Sequence, residues 1–523
     1  MMICRNGGSL FAVLVAAGLV ASCATKSPVV DGAAPVSAAA SPVVAAAEPA
    51  ASLSARLDAL FDRSDFDTAF WGVRIERADG SVVYERNARK MMMPASNMKV
   101  VTTAAAVDLL GADYRYETRL EARGAIVDGK LNGDLVIVGS GDPSLGTWRI
   151  EGRPDGDALL AGWAAKIKAM GIHEVTGAVI ADGRVFGDQY ICPDWEYDDL
   201  PFWYAAGTCG VNFSENVFRF TTAPGASVGD KAVLTFKPET RFFTVTNDVI
   251  TTVTKGAKTA DITRRYPGSN DVIFGGTIPV DEKPFEQRGS VWDGELWTAT
   301  LLTEALARGG VKVANPPTTA RALSKPARID VYTGERKVVD TVSSPPISEL
   351  IRIVNKPSHN FYADCIFRSI GVKMKKDGSY GAAGTAVEEW LKSFDAEDAG
   401  SLQILDGSGL ARRDFVTPKL MCAVLQHMKK SPSFEAYKTS FPEAGVDSKD
   451  RKGWKAPELV GNLYAKTGFI GHVRSLSGYV TSKDGEPLVF SMISNHINVP
   501  IGKADEAIDA AVLLLAQSNL KNH

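Results

Sequence analysis

The chain has 523 residues, enough for two or three domains with cores of their own. Hydrophobic residues make up 45% and charged residues 23%, an ordinary globular mix. Lys and Arg number 58 against 61 Asp and Glu, and no basic block stands out, which argues against a nucleic-acid partner.

The first residues are not expected to join the fold. Arg5 gives a short basic region, and Leu10 to Val20 is an apolar run of signal-peptide length, short for a membrane span. It ends in Val20-Ala21-Ser22-Cys23, which resembles the bacterial lipobox, so residues 1–23 read as a lipoprotein signal with Cys23 as the lipidation site. A plain secretory signal with a chance Cys is the other reading. Residues 24–51 are rich in Ala, Pro, Ser and Val and have no periodicity, so they read as a disordered linker reaching about 90 Å at most.

Leu53, Leu57, Leu60 and Phe61 stand at helical spacing. Trp71–Glu76 and Ser81–Arg86 read as strands joined through Asp79-Gly80, a hairpin signal. Ser96 to Leu110 reads as a helix closed by Gly111. From Tyr116 to about Lys312 short alternating runs dominate: Asp134–Val138, Ala178–Ile180, Phe218–Thr221 and Phe242–Val245. This predicts one or two β-rich units rather than helices, an inserted region over 117–315 whose return boundary is loose by some twenty residues. The flanking stretches, 52–116 and 316–523, form one catalytic domain. In the second of them Glu388–Phe394 belongs to a helix. Leu476–Thr481 and Pro487–Ser494 flank a second hairpin at Lys483-Asp484-Gly485-Glu486, and Ala504–Leu520 forms a closing amphipathic helix.

Of the six cysteines, four lie beyond the leader: Cys192, Cys209, Cys365 and Cys422. A short-loop disulfide Cys192–Cys209 and four buried thiols are both open readings. No Cys or His spacing suggests a metal site, and no organic cofactor is implied.

Three short motifs carry the chemistry: Ser96-Asn97-Met98-Lys99, Ser358-His359-Asn360 and Lys466-Thr467-Gly468. S-x-x-K recurs at Ser518–Lys521 and S-x-N at Ser214-Glu215-Asn216, so order decides. Ser518 follows Lys466 and sits on the last helix, and Ser214 falls in a strand-like stretch. Together the three match the signature of class A β-lactamases and penicillin-binding proteins. The residue types fit. A serine hydroxyl is a weak nucleophile until a base takes its proton. Lys99, three residues on, shares a helix face with Ser96, and burial, the helix N-terminus and the second cation Lys466 would lower its pKa. Ser358 can relay a proton to the leaving group, and Asn360 can bind Lys99 or the substrate amide. The N–H groups of Ser96 and Phe469 would form an oxyanion hole, given a strand after Gly468 running beside the substrate. Lys466 and Thr467 would bind a terminal carboxylate.

Pro94 to Ala106 resembles the nucleophile region of class C low-molecular-mass penicillin-binding proteins, the D-alanyl-D-alanine carboxypeptidases and endopeptidases. Gly133–Pro143, Asp406-Gly407-Ser408-Gly409-Leu410 and Tyr380–Gly384 match further, and the resemblance runs over about 53–520. It implies a transpeptidase-like α/β fold, an antiparallel sheet sandwiched by helices, with acyl transfer from peptidoglycan stem peptides to water and covalent trapping by β-lactams. It also suggests that Arg412 approaches the substrate side chain and that Asp199 binds the free amine of a diamino acid. A loop-capping Asp and a surface ion-pairing Arg are the plainer readings. His359 reads as a spacer. Phe469 stands where the family usually has Ser or Thr, and Gly471 removes a polar contact often made just after K-T-G.

Two other readings share these motifs: a β-lactamase and a non-catalytic wall-binding lipoprotein. Ser358 stands 262 positions (358 − 96) after Ser96, room for the insertion that β-lactamases lack, and the motif residues are intact. The resemblance and the lipobox place the chain in the periplasm, anchored to a bacterial membrane by lipid. Ala24 lacks the Asp that commonly retains lipoproteins at the inner membrane, which favours the outer one.

Overall fold

A computed structural model of the chain describes residues 52–324, 335–395, 398–447 and 451–521. The signal, Cys23 and the linker lie outside the described residues.

The catalytic domain is built on a five-stranded antiparallel sheet. Its order is Tyr464–Ile470, Val473–Thr481, Pro487–Asn495, Phe70–Arg77 and Val82–Arg86. Both expected hairpins are present. Alternation along the strands sorts the side chains to two faces. Trp71, Val73, Ile75, Leu476, Val480, Phe490 and Met492 turn to one face and bury against the helices Leu53–Phe61 and Ile501–Gln517. Tyr479, Val489 and Ile493 turn to the other, where Pro418–Lys429 and a helical layer cover them. That layer holds Met98–Leu109, Ile347–Asn355, Asn360–Lys375 and Tyr380–Lys392. This is the expected sandwich of helices and sheet. Met98–Leu109 runs through the centre and is buried from Met98 to Val107. Its buried polar residues are hydrogen-bonded: Lys99 to the Ser408 carbonyl, Thr102 to the Gly407 carbonyl and Thr103 to the Lys99 carbonyl.

The inserted region differs from expectation in two respects. It contains two long helices, Gly156–Ala169 and Gly294–Arg308. Each starts at an Asp whose carboxylate accepts a backbone N–H: Asp155 from Ala158 and Asp293 from Leu296. Leu159, Leu160, Trp163, Trp297, Leu301 and Leu302 from these helices share one core with the inserted strands. The chain also returns later than 315. Arg336–Ser343 pairs antiparallel with Glu117–Val127, so it belongs to the inserted sheet, whose longest neighbour is Lys130–Val138. A smaller β unit, with Val217–Ala223 between Val233–Lys237 and Phe285–Ser290, packs Phe218, Phe220, Phe236 and Phe274 together. Ser214 is not in a strand: Ser214–Asn216 is a tight turn.

Cys192, Cys209, Cys365 and Cys422 are all free and buried, which rules out the Cys192–Cys209 disulfide. The Cys209 thiol turns to the Val211 carbonyl and the Cys192 thiol to Leu405. Among the described residues, no helix is long and apolar enough to cross a membrane.

Candidate active site

The three motifs meet at one point between the sheet and the helical layer. Ser96 lies in a single turn, Ala95–Asn97, that feeds Met98–Leu109. Ala95 holds φ +49 and Ser358 φ +59, a region that costs non-glycine residues about 1–3 kcal/mol each. The Ser96 turn is pinned from two sides. Asn97 Nδ2 donates to the Lys466 carbonyl (2.8 Å) and Ser475 Oγ to the Pro94 carbonyl (2.7 Å). Two glycines allow the close approach. A Cβ on Gly468 would stand 2.6 Å from the Pro94 carbonyl oxygen, and one on Gly409 1.8 Å from that of Ala95.

Lys99 is fully buried one turn after Ser96. Its Nζ lies 2.9 Å from Ser96 Oγ, 2.7 Å from Asn360 Oδ1 and 2.6 Å from the Ser408 carbonyl oxygen. A neutral amine fills these three places with two N–H donors and one lone pair, and only Ser96 can supply a proton to that lone pair. Burial pulls the Lys99 pKa down to about 8, against the opposing pull of Asp406, Asp364 and Asp414. Burial, and with it their proximity to Asp406, drives Asp364 and Asp414 well above the usual carboxylate range. Burial thus brings the Lys99 amine much nearer to losing its proton at neutral pH than a free lysine.

Lys466 is also fully buried. Its Nζ donates to Ser358 Oγ and to the Thr467 carbonyl, both at 2.8 Å. Burial first, then the Lys99 charge, pushes its pKa well below that of a free lysine. Ser96, Lys99 and Asn360 form one hydrogen-bonded group and Ser358 and Lys466 another, and the Ser358-His359-Asn360 backbone ties the two together. Tyr464–Ile470 is the outer strand of the sheet, so Thr467, Gly468 and Phe469 border the cleft. Phe469 is exposed, and the Arg474 guanidinium lies 4.1 Å from its ring centroid.

The two residues suggested for the substrate side chain stand on the inserted region's side of the cleft. Arg412 donates to the Gly471 carbonyl (3.2 Å) and to Glu196 Oε2 (3.0 Å), bridging the end of the Lys466 strand and the insertion. Asp199 accepts from the Tyr204 hydroxyl (2.9 Å), and the Tyr204 carbonyl accepts from Asn360 Nδ2 (2.9 Å). Half-burial raises the Asp199 pKa, with the Tyr204 hydroxyl opposing it.

Sequence reasoning missed several partners. Asp406 holds the loop that seats Lys99: it accepts from the N–H groups of Ser408, Gly409 and Ala411 and from the Trp195 indole. The Asp-Gly-Ser-Gly-Leu run carried that signal, as an Asx-type loop before glycine. Trp195, Tyr204 and Glu215 all come from the insertion. Ser518 only caps the last helix, with its hydroxyl on the Leu514 carbonyl.

A serine on a helix start, a buried lysine beside it and a Lys-Thr-Gly strand on an antiparallel sheet are the features of a serine peptidase of the penicillin-binding class. The chain belongs to the D-Ala-D-Ala carboxypeptidase 3 (S13) family, whose profile matches residues 53–518. It is 30% identical over 480 residues to the D-alanyl-D-alanine carboxypeptidase of Actinomadura sp. (strain R39), covering 88% of this chain and 84% of that one. It is 26% identical over 451 residues to the D-alanyl-D-alanine carboxypeptidase DacB of Haemophilus influenzae, covering 84% and 88%. The crystal structure of penicillin binding protein 4 (dacB) from Haemophilus influenzae superposes with a TM-score of 0.76 at 23% identity. That match covers 89% of this chain and 99% of the other. The class C penicillin-binding resemblance and its fold are borne out.

Proposed function

We propose that the chain is a D-alanyl-D-alanine carboxypeptidase and endopeptidase of peptidoglycan, tethered by a lipid on Cys23 in the periplasm, outer membrane favoured. Neutral Lys99 takes the Ser96 proton as Oγ attacks the carbonyl of the D-Ala-D-Ala or cross-link amide. The tetrahedral oxyanion sits between the N–H groups of Ser96 and Phe469. Ser358, hydrogen-bonded to Lys466, relays the proton held by Lys99 to the leaving nitrogen, which returns Lys99 to its neutral form. D-alanine or the donor amine departs, leaving an ester on Ser96 that water hydrolyses. Lys466 and Thr467 bind the terminal carboxylate, and β-lactams trap the same serine. One observation carries this reading: the buried Lys99 nitrogen, 2.9 Å from Ser96 Oγ and braced by Asn360. The carboxypeptidase names of the relatives support it.

Mass spectrometry of muropeptides incubated with the protein tests it. Monomers ending in D-Ala-D-Ala should lose one D-alanine, and cross-linked dimers should split. Unchanged digests would remove the activity. Cys23→Ala should move the protein from the membrane pellet to the soluble fraction. A variant that still pellets would remove the lipid.

Substrate choice rests on Asp199. A carboxylate beside Tyr204 and Arg412 favours a stem peptide with a free amine at its third residue, such as meso-diaminopimelate. A charge-assisted hydrogen bond of this kind contributes about 1.5–3 kcal/mol. Asp199→Asn should therefore lower kcat/KM for such a peptide roughly 10- to 150-fold. Its acylation by penicillin, which has no such amine, should barely change. Equal losses on both substrates would make Asp199 a structural residue.

A further inference from the structure

The inserted region reaches into the second motif at a buried point. His359, between Ser358 and Asn360, is 1% exposed, and its Nε2 lies 2.9 Å from Glu215 Oε2. Glu215 is equally buried. Its Oε1 accepts from Arg149 Nε (2.6 Å) and Thr147 Oγ1 (2.9 Å). The Trp203 and Tyr362 rings close over the imidazole at 5.6 and 5.0 Å. Asn360 is tied to the insertion as well, through the Tyr204 carbonyl.

The backbone that carries Glu215 is unusual. Ser214, Glu215 and Asn216 hold φ of +48, +61 and +51, three left-handed residues in a row with no glycine among them. Asn216 holds the turn in place: its Oδ1 accepts from Phe213 N, and its Nδ2 donates to the Gly207 carbonyl and Asn212 Oδ1. Ser214 adds a bond to the Gly146 carbonyl. A strained turn is thus held so that one carboxylate points across to the spacer of a catalytic motif. None of the acyl-transfer steps uses that carboxylate.

We propose that Glu215 is a positioning residue: through the His359 imidazole it fixes Ser358 and Asn360 against Lys466 and Lys99. This rests on the acyl-transfer reading. It makes the inserted region part of the catalytic machinery. Glu215 touches neither Ser96 nor Lys99, so it acts on the geometry of the motif. Burial pushes the Glu215 carboxyl up, but His359 and Arg149 hold it below the usual carboxylate range. Burial keeps His359 low, and therefore neutral at pH 7. With Glu215 ionised, the neutral ring carries its proton on Nε2 and donates it to Oε2.

Glu215→Gln keeps the shape and an oxygen for Arg149, but sets an amide N–H₂ where the imidazole donates, so the ring must either lose that bond or move its proton to the buried, unpartnered Nδ1. With a penicillin as probe, its acylation rate constant should fall roughly 10- to 100-fold, the scale of lost orientation. The dissociation constant of the initial non-covalent complex should stay within about threefold, since orientation acts on the barrier rather than on binding. His359→Asn should show the same split, and it carries the test alone should Glu215→Gln not fold by its melting curve. The double variant should be no slower than the slower single one, because both remove one interaction. Single variants that acylate within twofold of wild type, losses that multiply in the double variant, or losses confined to affinity would each overturn the proposal. A wild-type protein that takes no penicillin would instead sink the acyl-transfer reading, so the two failures are distinguishable.

Discussion

Ser96→Ala should fold normally and take no penicilloyl adduct in intact-mass analysis, whereas the wild-type protein adds one. The loss should be total because the substitution removes the reacting atom rather than weakening a contact. The fold should survive because the Ser96 hydroxyl is not needed to hold its turn. Asn97 still bonds the Lys466 carbonyl, Ser475 still bonds the Pro94 carbonyl, and Lys99 keeps Asn360 and the Ser408 carbonyl. The competing nucleophile is Ser358, whose hydroxyl also faces a buried lysine at 2.8 Å. Peptide mapping separates the two. An adduct of normal yield on Ser96→Ala, wherever it mapped, would falsify the assignment.

The reach of the sequence follows from what its patterns encode. Asp79-Gly80 and the alternating runs beside it specify a hairpin through local geometry alone, and so do the strands around Lys483–Glu486. Ser96 and Lys99 are legible because three residues make one helical turn. The helices Gly156–Ala169 and Gly294–Arg308 had capping aspartates and apolar spacing of the right period. Gly and Asp punctuation on either side of them dominates the stretch and points to β-rich units instead. Arg336–Ser343 went with the wrong domain because pairing with Glu117–Val127 is a contact between distant segments, and alternation does not name its partner. The Ser408 and Tyr204 carbonyls that brace Lys99 and Asn360 leave no mark, since every residue has a carbonyl. His359 read as a spacer for a similar reason: its carboxylate lies 144 positions away, in a turn whose left-handed backbone no glycine announces.

Lys99→Arg should cost acylation roughly 10²- to 10⁴-fold, the worth of a general base. Arginine keeps the positive charge but does not release a proton near neutral pH, so it separates charge from basicity. The measurement is the acylation rate constant with penicillin, taken alongside a melting curve, because a guanidinium must fit a fully buried site. Acylation within tenfold of wild type, about 1.4 kcal/mol of barrier, would mean that Lys99 is not the essential base. The wild-type pH profile gives a second, independent reading. Lys99 titrates at about 8, so it is mostly charged at pH 6 and mostly neutral at pH 9. Only the neutral amine has a lone pair to take the Ser96 proton. The rate should therefore rise about tenfold per pH unit below pH 8 and level off above it. The rise should be missing in Lys99→Arg, which has nothing to titrate there. The opposite slope, a wild-type rate that falls from pH 7 to 9, would identify the protonated lysine as the working form. Lys99 would then serve as a fixed charge, and the proton from Ser96 would have to leave by another route.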